Sequence, residues 1–149
     1  MMHTITRKHK FDAGHRVYGH ESKCASVHGH EYHVEIECAP DGKLDSLGRV
    51  IDFSVVKEIC CKWIDDCLDH GMLLWDKDPL AEYWIDGFAF EGQRKKEKHK
   101  YYLMSQNPTA ENIAEMLFKR FVALMSPHSV KIVSVVVQET TNCRAKYSQ

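Results

Sequence analysis

The chain has 149 residues, 44% hydrophobic and 28% charged, with 20 Lys and Arg against 21 Asp and Glu for a net charge of −1. That length predicts one compact domain, burying about 68–70% of its unfolded surface without a disulfide scaffold. The balanced charge excludes a sequence-independent nucleic-acid binder, which needs surplus cations to displace counterions, and no apolar run approaches the ~20 residues of a membrane span.

Residues 1–10 carry charge throughout and lack an apolar signal core, so a cytoplasmic address is expected. Residues 4–17 read as an early strand, and 19–26 as a loop. Residues 32–38 alternate Tyr, Val, Ile and Cys with His and Glu, a period of two that marks a strand with one wet face. Pro40, Asp41-Gly42 and Gly48 mark a turn, after which residues 49–53 resume an extended pattern, as in a hairpin. Ser54 is an expected N-cap. Behind it Val55, Val56, Ile59, Cys60, Trp63, Ile64 and Cys67 fall at helical spacing. That helix should end near Asp69-His70-Gly71, with Gly71 in the left-handed position. Residues 80–105 follow neither period; they hold Trp84, Phe88, Phe90 and a basic run from Arg94 to Lys100. Asn107-Pro108 predicts a second helix start, and Ile113, Met116, Leu117, Phe121, Leu124 and Met125 supply its apolar stripe until Pro127 stops it. Residues 130–138 are the strongest strand, closed by Glu139, and 144–147 suit a short last one. Strand, strand, helix, helix, strand, strand predicts an α+β fold, with the helices on one face of an antiparallel sheet.

Ten His and six Cys carry the chemical signal. The Cys spacings match no secreted framework and include no CxxC pair, so the thiols read as reduced, most of them core fillers. His28-Gly29-His30 sends two imidazoles from one face of an extended chain. If the segment carrying His15 pairs alongside, three imidazoles converge, the ligand pattern of a catalytic zinc site with one position open. Cys24, four residues before His28, is then a fourth ligand or a free nucleophile or base. His33 alternates onto the opposite face, and His3, His9, His20, His99 and His128 lack partners at informative spacing and read as solvated. Asp69-His70 is either a carboxylate setting a histidine tautomer or simply a helix terminus favoured by the dipole. Glu139, at a strand end, is either a polar terminus or a carboxylate for the N–H edge of a pterin or guanine. The basic run reads as a solvated loop, with a polyanion such as triphosphate as the alternative. GxxxxGK[ST] and GxGxxG are both absent.

Six segments in order then carry a resemblance. They are Phe11-Asp12-Ala13-Gly14-His15-Arg16, Lys23-Cys24-Ala25-Ser26-Val27-His28-Gly29-His30, Gly48-Arg49-Val50-Ile51-Asp52-Phe53, Leu68-Asp69-His70, Asn107-Pro108-Thr109-Ala110-Glu111-Asn112 and Val137-Gln138-Glu139-Thr140. Together they resemble the 6-pyruvoyl-tetrahydropterin synthase family, which includes the 6-carboxy-tetrahydropterin synthases of queuosine biosynthesis. The resemblance implies the tunnelling fold: a four-stranded antiparallel sheet with two helices, joined into a barrel as a trimer or hexamer with active sites at subunit interfaces. It implies one domain over 1–149 with an insertion at about 76–106. It implies a zinc-dependent lyase acting on 7,8-dihydroneopterin triphosphate. His15, His28 and His30 match the metal ligands, Cys24 the catalytic thiol, Asp69 and His70 the proton-relay pair, and Glu139 the carboxylate that anchors the pterin. The spacing Cys-x-x-x-His-Gly-His is similar to that of the carboxy-forming members. The pyruvoyl-forming synthases and a non-catalytic pterin- or purine-binding ring are the alternatives.

Overall fold

Pairing of the first two strands sets the frame. In the computed structural model, which describes residues 2–149, β1 (Ile5–His15) and β2 (His28–Pro40) run antiparallel, from Ile5 opposite Cys38 to His15 opposite His28. The period of two then sorts the side chains. Phe11, Ala13, Tyr32, Val34, Ile36 and Cys38 are buried on one face, while Lys8, Lys10, Glu31 and His33 stand exposed on the other. Cross-strand ion pairs, Lys8 with Glu35 at 3.0 Å and Lys10 with Glu31 at 3.1 Å, lie on that polar face.

β5 (Val130–Thr140) adds antiparallel to β2, and β6 (Cys143–Ser148) adds antiparallel to β5. These four strands are the expected antiparallel sheet. Two more extend it: β3 (Gly71–Trp75) lies parallel to β1, and β4 (Tyr101–Met104) parallel to β3. The sheet is therefore six-stranded and mixed, in the order β4-β3-β1-β2-β5-β6. β3 escapes sequence patterning for a physical reason. Gly71, Met72, Leu73 and Leu74 are all buried, so the strand has no wet face and no alternation.

Residues 49–53 form no strand. Asp45 gathers the Leu47 and Arg49 amides at 2.9 Å each, and Arg49 forms ion pairs with both Asp45 and Asp52, which makes this stretch a turn. The helix that follows starts earlier than Ser54. Asp52 is its cap, accepting from the Ser54 amide at 2.9 Å. It runs as α1 (Phe53–Val56), a π-helical stretch (Lys57–Cys61) and α2 (Lys62–Cys67). The fully buried Cys60 and Cys61 fall within the wide π turn. At its end the left-handed residue is His70, with φ 58°, rather than Gly71. Gly71 already belongs to β3. Its role is close approach, because a Cβ there would sit 3.0 Å from the Leu68 carbonyl oxygen.

α3 (Ala81–Asp86) is short, and α4 (Ala110–Met125) is long. Thr109 caps α4 through the Asn112 amide, which frees Asn107 for other contacts. Ile113, Ala114, Leu117, Phe118, Phe121 and Met125 bury one stripe of α4 in the core formed with the apolar sheet face. Lys100 is no solvated member of the basic run. It caps the end of α2, donating to the Asp65 and Asp69 carbonyls at 2.8 and 2.7 Å. No helix among the described residues is long and apolar enough to cross a membrane.

Phe121 is fully buried at the centre of that stripe. Phe121→Ala should lower the unfolding free energy by about 3–5 kcal/mol in urea titrations. Val122→Ala, one residue on and exposed, should stay within about 0.5 kcal/mol of the parent.

Candidate metal centre and substrate cleft

The register that pairs His15 with His28 also brings His30 alongside, two residues further on the same face. Gly29 between them is required by space, since a Cβ there would lie 3.1 Å from the Ala13 carbonyl oxygen. The three rings meet with centroids 4.5 to 5.0 Å apart. One ligand atom from each lies within 4.8 Å of the others. Tyr32 forms the floor, edge-on to His15 and His30 and stacked on Phe11.

Hydrogen bonds settle the tautomers. His15 Nδ1 lies 2.7 Å from the Pro108 carbonyl oxygen and His28 Nδ1 2.7 Å from that of Ser26. A carbonyl only accepts, so both Nδ1 atoms carry the proton and, in the neutral rings, both Nε2 atoms present lone pairs. Those two Nε2 atoms face each other at 3.0 Å. His30 Nε2 is buried with no protein hydrogen-bond partner. Protonation is a poor remedy. Burial lowers the His15 pKa to about 4 against the opposing Pro108 bond, and the neighbouring His28 and His30 add to the shift. Burial, then His28, also lowers that of His30. Three convergent ring nitrogens, two of them on rings oriented by backbone carbonyls, fit a divalent cation such as zinc.

The rings open onto a cleft of about 640 Å³ that also includes Cys24, Glu139, Glu111, Thr140, Lys23 and Arg144. Cys24 sits in a 3-10 turn (Lys23–Ala25), partly buried. Glu139 Oε1 is 4.0 Å from His15 Nε2. Its carboxyl is pushed up by burial and by the Glu111 charge, with His28 opposing. β5 runs through Glu139 to Thr140, so this carboxylate projects from within a strand rather than closing one. Two ionisable residues gain a place in the cleft that spacing alone does not give them. His20 lines the cleft instead of standing in solvent, and Glu111 had no assigned role. The Pro-Thr-Ala-Glu helix start is the signal that pointed to Glu111. His9, also read as solvated, is partly buried and lies 2.6 Å from Asp65.

Asp69 and His70 are elsewhere. Asp69 Oδ1 accepts from the Asp12 amide at 2.9 Å, and the His70 amide donates to the Asp12 carbonyl at 2.7 Å. The left-handed His70 backbone turns its ring back onto Asp69, whose Oδ2 takes Nδ1–H at 2.8 Å. Burial alone would raise the Asp69 carboxyl. The Asp12 amide, His70 and the Lys100 charge outweigh it and hold it below the usual range. The pair is thus a formed carboxylate–histidine unit, beyond a mere helix terminus. Its ring borders a separate hollow with Asp12, Gly29 and Glu31, which belong to the polar sheet face. His70 lines this hollow and not the cleft that holds Cys24, and His30 borders both.

A six-stranded α+β sheet carrying a three-histidine cluster at one end of its core face defines the class. Residues 4–149 match the 6-pyruvoyl tetrahydropterin synthase family. The chain is 41% identical over 139 residues to the 6-carboxy-5,6,7,8-tetrahydropterin synthase of Rickettsia felis, covering 93% of this chain and 94% of that one. Its fold is similar to an uncharacterized protein of Wolinella succinogenes, with TM-score 0.83 and 24% identity over 100% of this chain and 99% of that one. It is also similar to the 6-pyruvoyl tetrahydropterin synthase of Caenorhabditis elegans, with TM-score 0.68 and 23% identity over 100% and 96% of the two chains. The chain has the tunnelling fold, and it belongs to the 6-pyruvoyl tetrahydropterin synthase family.

If the three rings hold an ion, zinc-loaded protein should retain about one ion per chain through gel filtration, by elemental analysis. His30→Ala should lose it, because the remaining two donors leave the site short of the usual ligand count.

Proposed function

We propose that the chain is a zinc-dependent 6-carboxy-5,6,7,8-tetrahydropterin synthase. It converts 7,8-dihydroneopterin triphosphate and water to 6-carboxytetrahydropterin, acetaldehyde and triphosphate, in the cytoplasm, as a step of queuosine biosynthesis. One observation carries this reading: His15, His28 and His30 converge on the cleft that also holds Cys24 and Glu139. The 41% identity to a relative bearing that name supports the carboxy-forming branch.

His15, His28 and His30 would hold the zinc. When bound, it supplies Lewis-acid polarisation of the substrate's side-chain hydroxyls. Glu139 accepts hydrogen bonds from the amino-pyrimidine edge of the pterin. Such an edge offers paired N–H donors, and they favour the carboxylate that burial and Glu111 otherwise disfavour. This bond fixes the ring so that its side chain reaches the thiol. Cys24 takes a proton from a side-chain carbon, and His70 returns or removes one at another. Asp69 holds the His70 Nδ1–H at 2.8 Å, which leaves Nε2 as the exchanging atom. Triphosphate departs by elimination; one water then supplies the second carboxylate oxygen as the bond between the first two side-chain carbons breaks, and the two outer carbons leave as acetaldehyde.

Because His70 lines a hollow that does not include Cys24, and Cys24 a cleft that does not include His70, the complete site on this reading spans subunits. A neighbouring copy brings its Asp69 and His70 to the thiol. The homo-oligomer, a trimer or hexamer, also covers the open edges of the sheet at β4 and β6.

Zinc-loaded protein incubated with 7,8-dihydroneopterin triphosphate should yield 6-carboxytetrahydropterin by mass. Unchanged substrate would refute the reading, and a pyruvoyl product would move the chain to the other branch. Cys24→Ala should keep zinc and fold but lose turnover by at least about 10²-fold. When Cys24→Ala and His70→Ala chains are unfolded and reassembled together, the mixed oligomers should recover part of the activity that each lacks alone. Recovery no greater than the sum of the two separate preparations would rule out a shared site.

A further inference from the structure

No residue between 76 and 106 lines the cleft. The segment is nonetheless tied, at both ends, to the stretch that carries the site. At its leading end the Asp78 carboxylate is fully buried and takes Arg16 Nε at 2.7 Å and Nη2 at 2.5 Å. The same carboxylate accepts the Leu80 amide at 2.8 Å, which locks it to the turn before α3. Burial would raise this carboxyl. The Arg16 bonds, the Leu80 amide and the guanidinium charge outweigh it and hold it below the usual range. At the trailing end Asn107 clasps the Tyr18 backbone, accepting from its amide at 2.8 Å and donating to its carbonyl at 2.9 Å. The next residue, Pro108, takes the His15 Nδ1–H.

Residues 15–18 are therefore gripped from two sides. The Arg16 guanidinium lies over the Tyr18 ring at 5.2 Å, and Trp75 approaches that ring at 6.3 Å. The grip extends to the thiol, because the Val17 amide donates to the Cys24 carbonyl at 2.8 Å. A buried ion pair contributes little net stability once desolvation is counted; its best-attested use is to select one arrangement. Here the arrangement selected is that of the segment between a candidate metal ligand and the thiol.

We propose that Arg16 and Asp78 are positioning residues, through which the strap of residues 76–106 holds loop 16–24 so that Cys24 faces the histidine cluster. The kinetic part of this proposal rests on the pterin-lyase reading; the structural part does not.

The wild-type protein provides the first test, by native-state hydrogen exchange. The Val17 amide, held by Cys24, and the Leu80 amide, held by Asp78, should open as one unit, with protection within about tenfold of each other. Protection differing by more than about a hundredfold would overturn the proposal. Asp78→Asn is the second test. Alkylation of Cys24 by iodoacetamide, followed on its own peptide by mass, should change at least about fivefold. Zinc content should hold, kcat should fall about tenfold or more with KM within about twofold, and Asp78→Glu should restore part of the loss. A folded Asp78→Asn protein with parental alkylation and parental kcat would overturn the proposal. Should that variant not fold, Arg16→Lys keeps the charge but loses the fork, and the same outcomes decide. Should neither variant fold, the wild-type exchange decides alone. If the wild type turns over no pterin, the reaction reading fails, while the alkylation and exchange arms still judge the strap.

Discussion

Two lone pairs 3.0 Å apart, on His15 and His28, repel unless a positive centre lies near them. Everything at this end of the molecule follows from that constraint. The carbonyls of Pro108 and Ser26 spend the Nδ1 protons, burial resists adding another, and His30 contributes a third buried nitrogen with no protein hydrogen bond. The site depends in turn on strand register. Because side chains alternate with a period of two, a one-residue slip of β2 against β1 would turn His28 and His30 onto the polar face and Glu31 and His33 into the core. The core face that buries Tyr32, Val34 and Ile36 thus also enforces the geometry of the histidine cluster.

The two faces of the sheet divide the chemistry. The core face ends in the histidine cluster and its cleft, whereas the Asp69–His70 pair sits beside Asp12 and opens toward the polar face. On the proposed reading a single chain therefore holds two half-sites, and closing the sheet edges against neighbouring copies completes the active site and removes open strand edges together. The left-handed backbone at His70, uncommon for a residue with a side chain, keeps the Asp69–His70 pair formed through its ring bond to Asp69 and its amide bond to β1.

The stretch from Asp76 to Gln106 has a similar logic at a larger scale. It adds β4 to the sheet edge beside β3, and its ends grip residues 15–18 through Asp78 and the adjacent Asn107 and Pro108. Long connections are inexpensive in chain entropy. Burying a carboxylate is expensive unless it is fully paired, and the Arg16–Asp78 pair marks the point where this connection is firmly attached.

Local pattern made much of this legible. Alternation exposed the wet and dry faces of β2. Helical spacing exposed the stripes of α1–α2 and α4, and the His-Gly-His triplet exposed two ligands on one face. What stayed hidden had no local period. β3 is buried on both faces, so it lacks alternation. Asp52 and Thr109 took caps assigned to Ser54 and Asn107, because neighbouring residues of similar chemistry compete for each helix start. The sequence by itself determined the α+β class, the principal elements and the residue types able to hold a metal, since those depend on spacing of a few residues along one chain. Only the tertiary structure decided that His15 pairs with His28, that Asp69 and His70 stand apart from Cys24, and that Asp78 reaches Arg16. Those are contacts between distant segments, and their distances are set by register and packing rather than by position in the chain.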